Sequence, residues 1–146
     1  MVMDREALVR RLMATFLAEL DEHVGTLNRN LLALEKDPAG RDRAELLRSA
    51  FRAAHSLKGA ARSVNVGPIE QACHYLEEIL SAARDDERPL EPDLFALLFR
   101  AVDALAAAGH ELRAGRALAG TPVEAMLGDL ESGPTTAPSA AVQPGD

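Results

Sequence analysis

His55 is the residue of this sequence whose surroundings best suit chemistry. Four cations lie three or seven positions before or after it, namely Arg48, Arg52, Lys58 and Arg62. These spacings place all four along the same stripe of a helix as His55. Nearby positive charge favours the neutral, nucleophilic imidazole and would stabilise a phosphoryl group attached to it. Such a pattern is more often a solvated helix face. Its functional interpretation is a histidine that accepts and passes on a phosphoryl group, whose charge Lys58, Arg52 and Arg62 stabilise.

Gly59 lies one helical turn after His55. A glycine inside a helix costs about 1 kcal/mol relative to alanine. That cost is easiest to explain if a side chain at position 59 would crowd the imidazole. We therefore expect Gly59 to keep His55 accessible to a bulky partner.

A polar stripe on the next predicted helix can face His55. It consists of Glu70, His74 and Glu77, at positions i, i+4 and i+7. If the two helices form an antiparallel hairpin, a carboxylate of this stripe could accept a hydrogen bond from Nδ1 of His55. That bond would fix the tautomer and leave Nε2 as the nucleophile. Glu77 is the first candidate, and Glu70 and Glu78 remain alternatives.

Two other functions fit parts of this pattern. His55, His74 and Glu77 could hold a metal, but the sequence has no pair of inward-facing Glu-x-x-His motifs of the kind found in di-iron bundles. We therefore expect no metal site. The face around His55 could instead dock a signalling partner without any chemistry. The sequence has no glycine-rich phosphate loop, so we expect no nucleotide site and no cofactor.

The elements that carry these residues are predicted to be helices. Leucine and alanine dominate the apolar residues, which favours helices over strands. Apolar residues recur every three or four positions in five stretches. The first runs from about residue 4 to 35, the second starts at 42, the third at 67–68, the fourth at 92–93 and a short fifth at 121–122. The expected fold is an antiparallel four-helix bundle with an additional short C-terminal helix.

Local patterns refine this expectation. The apolar stripe of the first helix is predicted to begin with Leu8 and Leu12 and to continue to Leu34. Asp42, with a glutamate three residues later, has the form of a capping box, and Thr121 starts a second one. Residues 1–131 are expected to form one domain. Residues 132–146, rich in Pro, Ala, Ser and Thr, are expected to be a flexible linker.

Composition narrows the possible partners and the compartment. The formal net charge of −7 argues against binding nucleic acid. No apolar run approaches the ~20 residues of a membrane span, and the start of the chain lacks the apolar segment of a signal peptide. The single cysteine, Cys73, suits a reducing compartment and lies on an apolar stripe. We expect a cytoplasmic protein with no membrane partner.

Two runs of the sequence resemble histidine phosphotransfer (HPt) domains. Residues 51–61 read Phe-Arg-Ala-Ala-His-Ser-Leu-Lys-Gly-Ala-Ala, and residues 74–80 read His-Tyr-Leu-Glu-Glu-Ile-Leu. The likeness is greatest to the N-terminal phosphotransfer domain of chemotaxis histidine kinases of the CheA type. It covers most of residues 4–113 in pattern and is strong in these two helices.

The resemblance implies an HPt-like bundle in which a separate ATP-binding histidine-kinase domain phosphorylates Nε2 of His55. The phosphoryl group would then pass to an aspartate of a response-regulator receiver domain. The resemblance also implies that Glu77 hydrogen-bonds the ring, that His74 assists, and that Lys58 is the lysine of the family motif. Further kinase domains would follow the linker. Residues 60–66 depart from the glycine-rich, aromatic stretch frequent in the chemotaxis type, so the output could be chemotaxis, another form of motility or another pathway.

Overall fold

The computed structural model describes residues 4–132, and all regular elements in that range are α-helices. They are α1 (Arg5–Lys36), α2 (Arg43–Ser63), α3 (Gly67–Arg84), α4 (Pro92–Arg113) and α5 (Pro122–Ser132). The predicted all-α class, the five helices and their order are confirmed. The predicted linker, apart from its first residue, lies outside the described residues.

The helices pack as a bundle around one leucine- and alanine-rich core. α2 packs against both α1 and α3, α4 packs against α1 and α3, and α5 contacts α3 and α4. Leu27, Leu57, Leu76 and Leu105 are fully buried representatives of the four long helices. Cys73 is also fully buried, as its place on the apolar stripe of α3 predicts. Within residues 4–132, no helix is both long and apolar enough to cross a membrane.

The predicted apolar stripe of α1 is not buried at its start. Leu8 and Leu12 are 39% and 49% exposed, whereas Leu34, at the other end of the stripe, is buried. α1 has 32 residues, but its neighbours α2 and α4 have 21 and 22. The first turns of α1 therefore extend beyond the helices that could cover them.

The helix starts follow the sequence signals in part. Asp4 caps α1, since its Oδ1 accepts hydrogen bonds from two backbone N–H groups of the first turn, at 3.1 and 3.2 Å. Asp42 precedes α2 but its side chain makes no capping hydrogen bond. Its φ and ψ of −90° and 5° are not the extended conformation that capping requires, so the capping box predicted there is wrong. Before α5, the buried hydroxyl of Thr121 donates to the carbonyl of Leu118.

Candidate functional site

The α2–α3 hairpin sets the register between His55 and the polar stripe of α3. Three residues, 64–66, separate the two helices, and Asn65 takes a left-handed φ of 63° in this turn. At the open end of the hairpin, Nη2 of Arg43 donates to the carbonyl of Ala83 at 2.9 Å. A short turn and a pinned far end leave little freedom to slide. Glu77 therefore lies opposite His55.

His55 and Glu77 form the central contact of the site. Nδ1 of His55 lies 2.6 Å from Oε2 of Glu77. The His55 side chain is 65% exposed, whereas that of Glu77 is only 9% exposed. Because an ionised carboxylate can only accept hydrogen bonds, Nδ1 carries the proton, and in the neutral ring the lone pair is then on Nε2. Of the three carboxylates that the sequence left open, the structure brings Glu77 to the ring.

Lys58 binds the other oxygen of the same carboxylate. Its Nζ lies 2.6 Å from Oε1 of Glu77. Burial alone would raise the pKa of Glu77, but the hydrogen bonds from Lys58 and His55 outweigh it and hold the pKa below the ordinary value of 4.5. The buried carboxylate is thus ionised at neutral pH. An ammonium group has three N–H donors, so Lys58 can bind Glu77 and still donate to a phosphoryl group.

His74 lies beside this network and contacts mainly a different carboxylate. Its Nε2 is 3.1 Å from Oε2 of Glu78, and its Nδ1 is 3.9 Å from Oε1 of Glu77. The distance to Glu77 is too long for a direct hydrogen bond. Any assistance from His74 would therefore reach His55 through the charge near Glu77.

The predicted basic stripe is largely neutralised by carboxylates. Arg48 and Arg52 both pair with Glu45, Arg52 at 3.8 Å. Arg62 Nε donates to Oε2 of Glu70 at 2.9 Å. These pairs lie at the surface, where ion pairs contribute little and exchange readily. The arginines predicted around His55 are thus present, but each also has a carboxylate partner.

His55 forms part of the wall of an open cleft of about 1090 Å³. α2 contributes Lys58, Gly59 and Arg62 to this cleft, and α3 contributes residues between Gly67 and His74. A Cβ at position 59 would meet no atom within 4 Å, so an alanine there would not touch the imidazole. The expectation that a side chain at position 59 would crowd the imidazole is therefore wrong, and Gly59 leaves space in the cleft itself. Arg52, by contrast, is turned toward Glu45.

The third wall of the cleft comes from α5, which the sequence reasoning missed. Glu124, Leu127 and Gly128 line it. An ion pair of 2.5 Å between Arg100 and Asp129 ties α5 to α4. The apolar periodicity predicted that α5 exists, but nothing in the sequence indicated the cleft as its position.

A metal site was the rival interpretation of His55, His74 and Glu77. In the described part of the chain, no three His, Cys, Asp or Glu side chains are grouped as ligands of a metal ion would be. Two of the three residues also have other partners. Glu77 binds Lys58 at 2.6 Å, and Nε2 of His74 lies 3.1 Å from Glu78.

Comparison with known proteins identifies what this arrangement resembles. The family model described as "Hpt domain" matches residues 11–108. Chemotaxis protein CheA of Bacillus subtilis is 38% identical over 90 residues, which cover 62% of this chain and 13% of the relative. Chemotaxis protein CheA of Treponema pallidum is 32% identical over 119 residues, which cover 82% of this chain and 14% of the relative. The chain thus spans about a seventh of the length of these relatives.

Two solved structures share the fold. The CheA phosphotransferase domain from Thermotoga maritima matches with a TM-score of 0.63 and 36% identity, over 68% of this chain and 92% of that domain. The phosphorylated P1 domain of CheA3 from R. sphaeroides, solved in complex with CheY6, matches with a TM-score of 0.70 and 30% identity. That match covers 84% of this chain and 94% of the P1 domain.

Proposed function

Since the chain belongs to the Hpt domain family, we propose that His55 is a phosphoryl carrier between a kinase and a response regulator. The proposed donor is ATP bound to a histidine-kinase domain outside this chain. The proposed acceptor is an aspartate of a receiver domain. The pathway would be two-component signalling of the chemotaxis or motility type, because the relatives named above are chemotaxis proteins.

One observation carries the proposal. His55 is exposed on a cleft, and its Nδ1 is held at 2.6 Å by a buried carboxylate. A buried carboxylate that accepts from one ring nitrogen leaves the other nitrogen as an oriented nucleophile. A histidine that merely lies on a solvated helix face would not need a buried, ionised partner. Burying a carboxylate removes it from water, which is costly.

The proposed reaction needs no proton to leave the ring. The lone pair of Nε2 attacks the γ-phosphorus of ATP, an N–P bond forms, and the P–O bond to the leaving ADP breaks. The ring then carries a positive charge, because Nδ1 keeps its proton. Glu77 stabilises that charge at Nδ1, while Lys58 and Arg62, which line the same cleft, would donate to the phosphoryl oxygens.

Transfer to the regulator reverses the chemistry at the ring. A carboxylate oxygen of the receiver aspartate attacks phosphorus, the N–P bond breaks, and its electron pair returns to Nε2. The complex of a similar phosphorylated P1 domain with CheY6 supports this choice of partner. Mg²⁺ in the receiver would neutralise the charge on the transferring group.

The rest of the assignment follows from the same proposal. Residues 1–131 would form the phosphotransfer domain, and residues 132–146 would link it to the kinase domains of a longer, cytoplasmic protein. His74 would tune the charge near Glu77, and Arg52 would contribute weakly from the margin of the site. Gly59 would leave room for the partner that delivers or receives the phosphoryl group.

Radiolabelled ATP and a CheA-type kinase lacking its own phosphotransfer domain test the proposal. We expect the chain to acquire an acid-labile label, and we expect His55→Gln to abolish it. His110→Gln is the matched control, since His110 is an exposed histidine on α4. The label in wild type should move to a receiver domain on mixing. Label persisting in His55→Gln would refute the assignment, and receiver binding without any label would favour a docking module.

A further inference from the structure

The imidazole of His55 stacks on the ring of Phe51, one turn earlier on α2. The ring centroids are 6.2 Å apart and the ring planes differ by only 7°. This distance lies within the range of offset-stacked aromatic pairs. The i, i+4 spacing on one helix is what brings the two rings together.

Glu77 fixes one atom of the imidazole but not the plane of the ring. Its carboxylate anchors Nδ1, and 65% of the His55 side chain is exposed. The terminal torsion of a histidine side chain has broad, weak preferences. The ring could therefore tilt about the anchored atom unless a second contact held it. The parallel ring of Phe51 is such a contact.

Phe51 is itself held in place from α3. It is half-buried and packs against the core. The guanidinium carbon of Arg84 lies over its ring, 5.5 Å from the centroid, which is a cation–π distance. Arg84 in turn donates to Ser81 at 3.0 Å and to Asp85 at 3.3 Å. A continuous series of contacts thus runs from the last turn of α3 through Phe51 to His55.

We propose that Phe51 is a positioning residue for phosphoryl transfer, which sets the plane of the His55 ring, and that Arg84 holds Phe51 in that orientation. The lone pair of Nε2 lies in the plane of the imidazole, so this plane decides the direction of attack on phosphorus. In-line displacement depends on that direction. Phe51 acts on the rate within the complex and not on the binding of the kinase. The inference rests on the proposed role of His55 as a phosphoryl carrier.

Phe51→Leu tests the inference in the phosphorylation assay described above. Leucine keeps an apolar side chain against the core but removes the flat ring. We expect kcat to fall about two- to tenfold, because this is the change in rate that corresponds to losing the interaction energy of one aromatic pair. The KM of the kinase for this chain should stay unchanged. The separate variant Phe51→Tyr, which keeps a flat ring, should have the wild-type rate. Phe99→Leu is the matched control, because Phe99 is also half-buried and packs against the core, but on α4.

A second measurement reports the stacking itself. The ring protons of His55 should lose their aromatic ring-current shift in Phe51→Leu, as observed by NMR, and keep it in Phe99→Leu. If Phe51→Leu loses helix content, Arg84→Gln replaces it as the test variant. We then expect a smaller decrease in kcat and an altered NMR shift of the His55 ring protons.

Each outcome separates this inference from the proposed function. A wild-type protein that is never phosphorylated would overturn both. A phosphorylated wild type with unchanged kcat in Phe51→Leu would overturn the role of Phe51 alone. A decrease shared by Phe99→Leu would show that the effect is structural and would equally overturn that role.

Discussion

Replacing Glu77 by glutamine separates the charge of this side chain from its shape. Its two oxygens receive Nδ1 of His55 and Nζ of Lys58, both at 2.6 Å. Glutamine offers one carbonyl oxygen, and its NH₂ group donates. One of the two donors would therefore face another donor, and the remaining hydrogen bond would lose the negative charge of its acceptor.

The expected loss in rate follows from the worth of the Nδ1 contact. A hydrogen bond to a charged group contributes roughly 1.5–3 kcal/mol. If that contact stabilises the ring as it becomes positive, its loss slows phosphorylation of His55 about ten- to a hundredfold. The stability should fall less, by about 1–2 kcal/mol. The reason is that His55 and Lys58 are 65% and 27% exposed, so both can turn to water.

The assay compares initial rates of phosphorylation and thermal unfolding in parallel. Glu78→Gln is the matched control, since Glu78 is the next residue on α3 and pairs with His74 at 3.1 Å. We expect it to keep the wild-type rate. A Glu77→Gln rate within twofold of wild type, or an equal decrease in Glu78→Gln, would refute the reasoning.

The pH dependence of stability gives the same prediction an independent check. The pKa of Glu77 is lower in the folded chain than its ordinary value of 4.5. The stabilisation by this carboxylate is therefore complete above pH 4.5 and is lost as the pH falls through the lowered pKa. The difference in unfolding free energy between wild type and Glu77→Gln should shrink over that acidic window. A difference that stays constant with pH would contradict the proposed charge pairing.

Two further substitutions test the cleft and the lysine. Gly59→Ala should leave the melting temperature unchanged or raise it, because a Cβ there meets no atom within 4 Å and alanine favours the helix by about 1 kcal/mol. Phosphorylation of this variant by the kinase should slow if the kinase needs that space. Lys58→Ala should slow phosphorylation severalfold and lower the melting temperature by only a few degrees, since Lys58 is partly exposed and Glu77 keeps its contact with His55. A large loss of melting temperature with normal transfer kinetics would contradict the second expectation.

The pairing of His55 with the polar stripe of α3 was predictable because few geometric choices were open. Helical spacing fixes which residues share a face, and a short turn forces neighbouring helices to be antiparallel. The same reasoning failed where the answer depends on a neighbour. Periodicity shows that the face of α1 at Leu8 is apolar but not where the partner helices end. The pairing of Glu45 with Arg48 and Arg52 was, by contrast, open to the same spacing rule, because all three lie on α2 at positions i, i+3 and i+7, and it was missed.

The placement of α5 could not be predicted from the sequence for a related reason. The connection at residues 114–121 includes Gly115 and Gly120, both with positive φ, and its direction depends on two backbone conformations that periodicity does not encode. α5 nonetheless completes the cleft beside His55. The part of the site on the α2–α3 hairpin follows from helical spacing and from the short turn between the two helices. The other part depends on how a later helix returns to the bundle.

The position of Glu77 also bears on how His55 could serve the two opposite transfers proposed for it. Attack on ATP and release to an aspartate both pass through a ring that is positively charged while phosphorus is attached. A carboxylate at Nδ1 stabilises that charge, so it lowers the barrier to attack on ATP, but it also stabilises the phosphorylated ring from which release begins. Too strong a contact would trap the phosphorylated form. Sharing the carboxylate between His55 and Lys58 moderates the contact, because each donor draws on the same negative charge. Removing Lys58 should therefore lengthen the lifetime of the phosphorylated state even as it slows its formation.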